Sequence, residues 1–176
     1  MPKSIPDKNI LQSYPASCAI KCQQIILRDY GIDVSEEDLC RIAKENGWYD
    51  EDVGVYMHDN GKLLGCFGIG YHHSQGNDIV GIESEIRRTH RVMVNINHAK
   101  LAGINDRNGQ ACHAVIVSSL DENSVYIINP STGIMNECYS KDLFECAWKD
   151  SDNYMLATNS KAIFEYNNIS NMMIEI

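Results

Sequence analysis

CHAVIVSSLDENSVYIINP, residues 112–130, contains two β-branched runs, CHAVIVSSL (112–120) and SVYIINP (124–130), separated by Asp121-Glu122-Asn123. The pattern predicts a β-hairpin. With a three-residue loop in which Asn123 is left-handed, Leu120 pairs with Ser124 and Asn129 falls opposite Val115. That register puts Asn129 on the face of His113, one diagonal step away. A loop of two or four residues sends Asn129 to the other face, because side chains alternate along a strand. Asn129-Pro130 also suits a plain strand-ending turn.

Upstream of the hairpin, RVMVNIN (91–97) alternates Val92, Val94 and Ile96 with Arg91, Met93 and Asn95, predicting a half-buried strand. Between them AKLAGINDRNGQA reads as a polar loop with Gly103 and Gly109, of a length more often functional than idle. FGIGYHHS reads as a short strand, and Ile79, Ile82 and Ile86 predict a helix over 79–89 that faces the core with Ile82 and Ile86. A helix over 54–66 is weakened by Gly61, at about 1 kcal/mol against alanine.

Nearer the N-terminus, Ser17 is the expected N-cap of a helix over 18–30 that carries Ala19, Ile20, Ile26, Leu27 and Tyr30 and stops at Gly31. Ser35 and Asp38 resemble a capping box for a second helix ending at Gly47. After the hairpin come a strand at 134–139, a helix at 141–148 capped by Ser140, and a strand pair, NYMLAT and KAIFEY, split by Asn159-Ser160. The last ten residues, NNISNMMIEI, give no element signal. The order predicts an α+β fold, an N-terminal helical lobe packed on a C-terminal antiparallel β-sheet. One domain, residues 1–176 with a core at about 8–166, accommodates it.

With 44% hydrophobic and 22% charged residues, the 176-residue chain has an ordinary globular composition. A net charge of -9 and no basic stripe argue against nucleic acid as a partner. MPKSIPDKNILQ lacks the apolar core of a secretory signal, and no stretch approaches eighteen apolar residues, so membrane insertion is not expected. Seven irregularly spaced cysteines suit reduced thiols and a cytoplasmic setting. Delivery into another cell by a non-classical route, or origin in a larger secreted protein, would also fit.

Cys18 opens the first helix, where free N–H groups and the positive end of the dipole favour a thiolate. A buried structural cysteine is the competing reading. Gln12, six residues upstream, could join the Cys18 N–H in receiving the oxyanion of an acyl transfer, with Pro15 stiffening the loop between; the alternative is an exposed loop residue. Six histidines compete as base. His58 stands beside Asp59 and Asn60 on an expected surface, His90 ends a helix and His98 ends a strand. His72 and His73 fall in the short strand. His113 opens a strand after the long loop, between the small residues Cys112 and Ala114.

Gln12, Cys18, His113 and Asn129 stand in the chain order of papain-like cysteine peptidases. QSYPASCAIKCQQIILRDYG, VSEEDL, GW, GKLL, RVMVNINH, HAVIV, VYIINPSTG and the late Phe144-x3-Trp148 together resemble the bacteriocin-processing, or double-glycine leader, peptidases and their stand-alone bacterial relatives over about residues 8–158. The resemblance implies a papain-like fold and a cysteine peptidase acting on a peptide or protein substrate. It implies Cys18 as nucleophile, His113 as base and then acid, Asn129 orienting the ring, and Gln12 with Cys18 forming the oxyanion hole. No metal or other cofactor is implied. Two departures stand out: these peptidases usually carry Asp where this chain has Asn129, and the transporter to which they are often joined is missing from this sequence.

Papain-like folds also carry deamidases, transglutaminases and acyltransferases, some of them effectors or toxins with an inhibitor or immunity protein as partner. A non-catalytic binding domain of the same fold is a further alternative. Cys18 and Cys22 share a helix face and could bind zinc with His72-His73, but no CxxC pair or matching histidine spacing supports it.

Overall fold

A computed structural model describes residues 6–107 and 109–164. Three helices come first: α1 (Cys18–Asp29), α2 (Glu36–Glu45) and α3 (Lys62–Cys66). Then follow β1 (Tyr71–Ser74), α4 (Ile79–Arg87), β2 (Val92–Ile96), α5 (His98–Leu101), β3 (His113–Leu120), β4 (Ser124–Asn129), β5 (Ile134–Ser140), α6 (Lys141–Trp148) and β6 (Met155–Thr158). The strands form one antiparallel sheet in the order β1-β6-β2-β3-β4-β5. The fold is α+β, as the sequence predicts.

Both faces of the sheet are covered. Met93, Ala114, Ile116, Ile128 and Leu156 pack with α1 residues Ile20, Ile26 and Leu27 in one core. Val92, Val94, Val115, Val117 and Ile127 pack on the other side with Ile82 of α4 and Phe144 and Trp148 of α6. The expectation of a half-buried β2 is therefore corrected: all five residues are buried, because α4 and α6 cover the face that a helical lobe alone would leave open. Ile82 is fully buried and Ile86 lies at the margin of that second core.

The helix expected over 54–66 shrinks to α3. Gly61 has φ +90°, and a Cβ there would meet the Tyr71 ring at 2.3 Å, so the backbone turns at this residue instead of continuing through it. Ahead of it Met57–Asp59 form a single 3-10 turn. The described part of KAIFEY, residues 161–164, does not pair with NYMLAT. β6 is instead inserted between β1 and β2, using both its edges, while residues 161–164 belong to no strand; 165–166 and the tail lie outside the described residues. The polar loop after β2 begins with α5, whose N-cap Asn97 accepts from the Lys100 N–H at 3.2 Å. His98 thus opens a helix rather than ending a strand.

Ser35 caps α2 as expected, accepting from the Asp38 N–H at 3.1 Å, and Ser140 likewise caps α6. Ser17 occupies the N-cap of α1 without capping it: its hydroxyl faces Glu36 at 2.7 Å and the Tyr14 carbonyl at 3.0 Å.

The hairpin reaches its predicted register by an unpredicted route. Asn123 is not left-handed, and Leu120 pairs with Val125 rather than Ser124. The Asp121 carboxylate accepts from the Asn123 and Ser124 N–H groups at 2.9 and 2.8 Å and closes this longer turn. By itself the added residue would turn Asn129 to the wrong face. A bulge between Val117 and Ser119 takes up one residue on β3, so Val117 pairs with Ile127 and Ile116 with Ile128. Asn129 is thereby returned to the His113 face.

Candidate active site

Cys18 is the first residue of α1, and its helix lies along β3. Cys18 Sγ is 3.9 Å from the Cys112 carbonyl oxygen, and Cys22 Sγ, one turn on, is 3.4 Å from that of Ala114. Four helical residues rise about 6 Å and two strand residues about 6.8 Å, so the two repeats keep step. This match sets the start of α1 beside the start of β3, where His113 stands.

The loop ahead of Cys18 is shaped by Glu36, a carboxylate only 6% exposed. Glu36 accepts from the Ser13 N–H at 3.0 Å and from the Ser13 and Ser17 hydroxyls at 2.8 and 2.7 Å, with Lys21 Nζ at 3.5 Å. The loop is also tied to the hairpin end, since the Gln12 N–H donates to the Pro130 carbonyl at 2.8 Å. The Gln12 side chain is occupied: Nε2 donates to the Tyr14 and Pro15 carbonyls at 2.7 and 3.1 Å, and Oε1 accepts from the Ser131 hydroxyl. Its amide holds the loop in shape and does not line the cavity described below.

On the opposite wall, His113 Nε2 is 2.8 Å from Asn129 Oδ1. The Ser131 N–H also donates to that oxygen at 3.0 Å, while Asn129 Nδ2 donates to Glu137 Oε2 at 3.0 Å. A backbone N–H can only donate and a carboxylate only accept, so the two contacts settle which way the amide points. Nε2 of His113 must then carry the proton, which leaves the lone pair on Nδ1. The His98 ring stacks on that of His113 with centroids 4.5 Å apart.

Cys18 and His113 line one cavity of about 560 Å³, together with Pro15, Asn95, His98 and Cys112. Burial pushes the Cys18 thiol up, although N–H groups of Ala114, Ala19 and Cys18 itself favour the thiolate. Burial also lowers His113, from 6.5 to about 4, against the Asn129 hydrogen bond, which raises it. A lone charge on either group is thus unfavourable. Forming both charges by one proton transfer would leave no net charge in this poorly solvated setting. The arrangement can supply a thiol nucleophile, a base in a defined tautomer and helix-start N–H donors.

No family model matches the chain, and no curated protein matches it. Solved structures do. A C39-like peptidase from Bacillus anthracis superposes with a TM-score of 0.66 at 17% identity, covering 86% of this chain and 92% of its own. The peptidase domain of Streptococcus ComA, a bifunctional ABC transporter involved in quorum sensing, gives 0.65 at 14%, covering 86% and 97%. The chain has the fold of the C39-like, double-glycine peptidases. A third such domain, a double-glycine motif protease from an AMS/PCAT transporter in complex with the leader peptide, gives 0.59 at 14%, covering 85% and 89%. The C39-like fold agrees with the resemblance read from the sequence.

The residues that sequence reasoning passed over are those around Cys18 and His113. Glu36 reads as an ordinary first-turn carboxylate of α2. Glu137 reads as one polar position on β5, and His98 as a strand end. A buried zinc cluster is not formed: Cys22 lies in the core, His72 contacts Asn159 at 2.6 Å on the far edge of the sheet, and no group of three or more such ligands occurs among the described residues.

Proposed function

We propose that the chain is a cysteine peptidase in which Cys18 attacks a peptide carbonyl and His113 takes the thiol proton and returns it to the leaving amine. The observation that carries the reading is the His113–Asn129 bond of 2.8 Å on the wall of the cavity that Cys18 also lines. Asn129 holds the ring in the tautomer with Nδ1 free for the thiol proton. The Cys18 N–H receives the oxyanion, and Gln12 joins it by releasing one of its loop carbonyls when substrate enters. The fold relative held with a leader peptide favours a peptide or protein as substrate.

The test is iodoacetamide labelling of each cysteine below pH 7, in the wild type and in His113→Ala. Fast labelling at Cys18 that depends on His113 is expected. Labelling of Cys18 no faster than of Cys40 or Cys146 would remove the catalytic reading and leave a binding domain. Mass spectrometry of candidate targets then separates peptidase from deamidase, since cleavage yields two peptides and deamidation adds about 1 Da.

A further inference from the structure

The cavity-facing histidine is connected to a carboxylate that it does not touch. Asn129 is fully buried and lies between His113 and Glu137, accepting from the ring at 2.8 Å and donating to Glu137 Oε2 at 3.0 Å. Glu137 also accepts from the Tyr139 hydroxyl at 2.7 Å and from the Thr132 hydroxyl. These contacts fasten the carboxylate behind the amide. β5 is irregular here: Ile127 pairs with Glu137 and Asn129 with Ile134, so β5 spends three residues against two on β4. The irregularity lies between Ile134 and Glu137, next to the position that meets Asn129.

We infer that Glu137 is a positioning residue of the active site, supplying through the Asn129 amide the negative charge that a neutral asparagine lacks. The inference rests on the reading of Cys18 and His113 as nucleophile and base. Two effects follow from the geometry. The carboxylate accepts the amide hydrogen and so prevents the flip that would turn Nδ2 toward the ring. It also polarises the amide and places an anion two hydrogen bonds from the imidazolium as that cation forms. The step it favours is a single transfer, in which the proton leaves Cys18 Sγ and binds His113 Nδ1, giving thiolate and imidazolium with no net change of charge.

His98 stacks on the ring from α5, and the other titratable groups lining the same cavity are Cys18 from α1, Cys112 at the entry to β3, and Asp52 and Asp106 from loops. A protonated His98 opposes the imidazolium, whereas the Glu137 carboxylate favours it. In the neutral range the share of thiolate follows the difference between the two groups' proton affinities, and labelling in that range forms a plateau. Well above neutrality the thiol ionises directly, without His113.

The test is the pH profile of Cys18 labelling by iodoacetamide on the full chain between pH 5 and 9.5. Glu137→Gln keeps an acceptor for Asn129 and removes the charge. Loss of an anion at this remove is expected to lower the plateau about tenfold, a shift of about one pH unit in His113, while leaving the alkaline limb unchanged. Glu137→Gln combined with His113→Ala should label no more slowly than His113→Ala alone. An unmoved plateau, an equal loss at every pH, or a further loss in the double variant overturns the role of Glu137. If His113→Ala itself keeps the plateau, the base reading fails and the Glu137 role fails with it, an outcome distinct from failure at Glu137 alone.

Should Glu137→Gln not fold, exchanging the pair by Asn129→Asp with Glu137→Gln keeps one carboxylate and one amide in contact and moves the charge beside the ring. That exchange should label at least tenfold faster at pH 6 than His113→Ala, by the same estimate. Labelling at the His113→Ala level overturns the inference.

Discussion

His113 Nε2 meets Asn129 Oδ1 at 2.8 Å even though the turn joining their strands is one residue longer than that meeting requires. The bulge at Ser118 takes up the difference. Its hydroxyl donates to the Tyr126 carbonyl at 3.1 Å, which holds the irregular stretch in the ladder.

Deleting Ser118 should leave the pairs on either side unchanged, because the residue removed is the one the ladder skips: Ser119 still meets Tyr126, Val117 meets Ile127, and His113 stays on the Asn129 face. The expected result is a retained cooperative urea transition and His113-dependent labelling of Cys18. Loss of both in the deletion variant would show that the bulge does more than absorb the extra residue of the turn.

Glu36→Ala should be costly. It strands Lys21, 4% exposed, as an uncompensated buried charge and leaves the Ser13 N–H without its acceptor, while the Ser17 hydroxyl keeps only the Tyr14 carbonyl. Breaking a buried pair from one side costs about 3–5 kcal/mol. Urea denaturation should show the loss as a lower midpoint with an unchanged slope. Adding Lys21→Met should recover part of it, which a purely local loop effect would not.

Acid should destabilise the fold partly through His113. Its folded value of about 4 lies below the unfolded 6.5, because burial opposes the charged ring. Below 6.5 the unfolded chain binds a proton that the folded chain refuses, so stability falls as pH drops toward 4 and is regained on returning above 6.5. The contribution is at most about 3 kcal/mol. Urea midpoints measured at pH 7 and pH 4.5 should therefore differ less in His113→Gln than in the wild type.

Gln12→Ala separates two roles for that amide. If Nε2 leaves its loop carbonyls for the oxyanion during turnover, kcat on a cleaved peptide should fall about 10²-fold or more with little change in KM. Iodoacetamide labelling of Cys18, which forms no oxyanion, should stay within a few-fold of the wild type. Equal losses in both measurements would assign Gln12 to loop shape alone.

Local rules made much of the molecule legible. α2 and α6 announce themselves by caps that form, α1 and α4 by their apolar spacing, and β2, β3 and β4 by β-branched runs. Gly61 was legible as a weak point but not as a turn, because the Tyr71 ring that fills the space beside it comes from ten residues further on. The burial of both faces of β2 escaped for a similar reason: the covering helices follow and precede the strand, and the alternation of Met93 with Val92 and Val94 looks the same whether one face or two are covered.

By itself the sequence determined the α+β order, the start of a helix at Cys18, and a hairpin able to carry His113 and Asn129 on one face. These follow from periodicity, capping and turn chemistry, which act over a few residues. Only the tertiary structure decided that a bulge would restore the hairpin register, that Gln12 would spend its amide on loop carbonyls, and that Glu137 would stand behind Asn129. Each depends on where polar groups distant in sequence find partners once water is excluded, and a buried donor or acceptor takes the partner that packing brings to it.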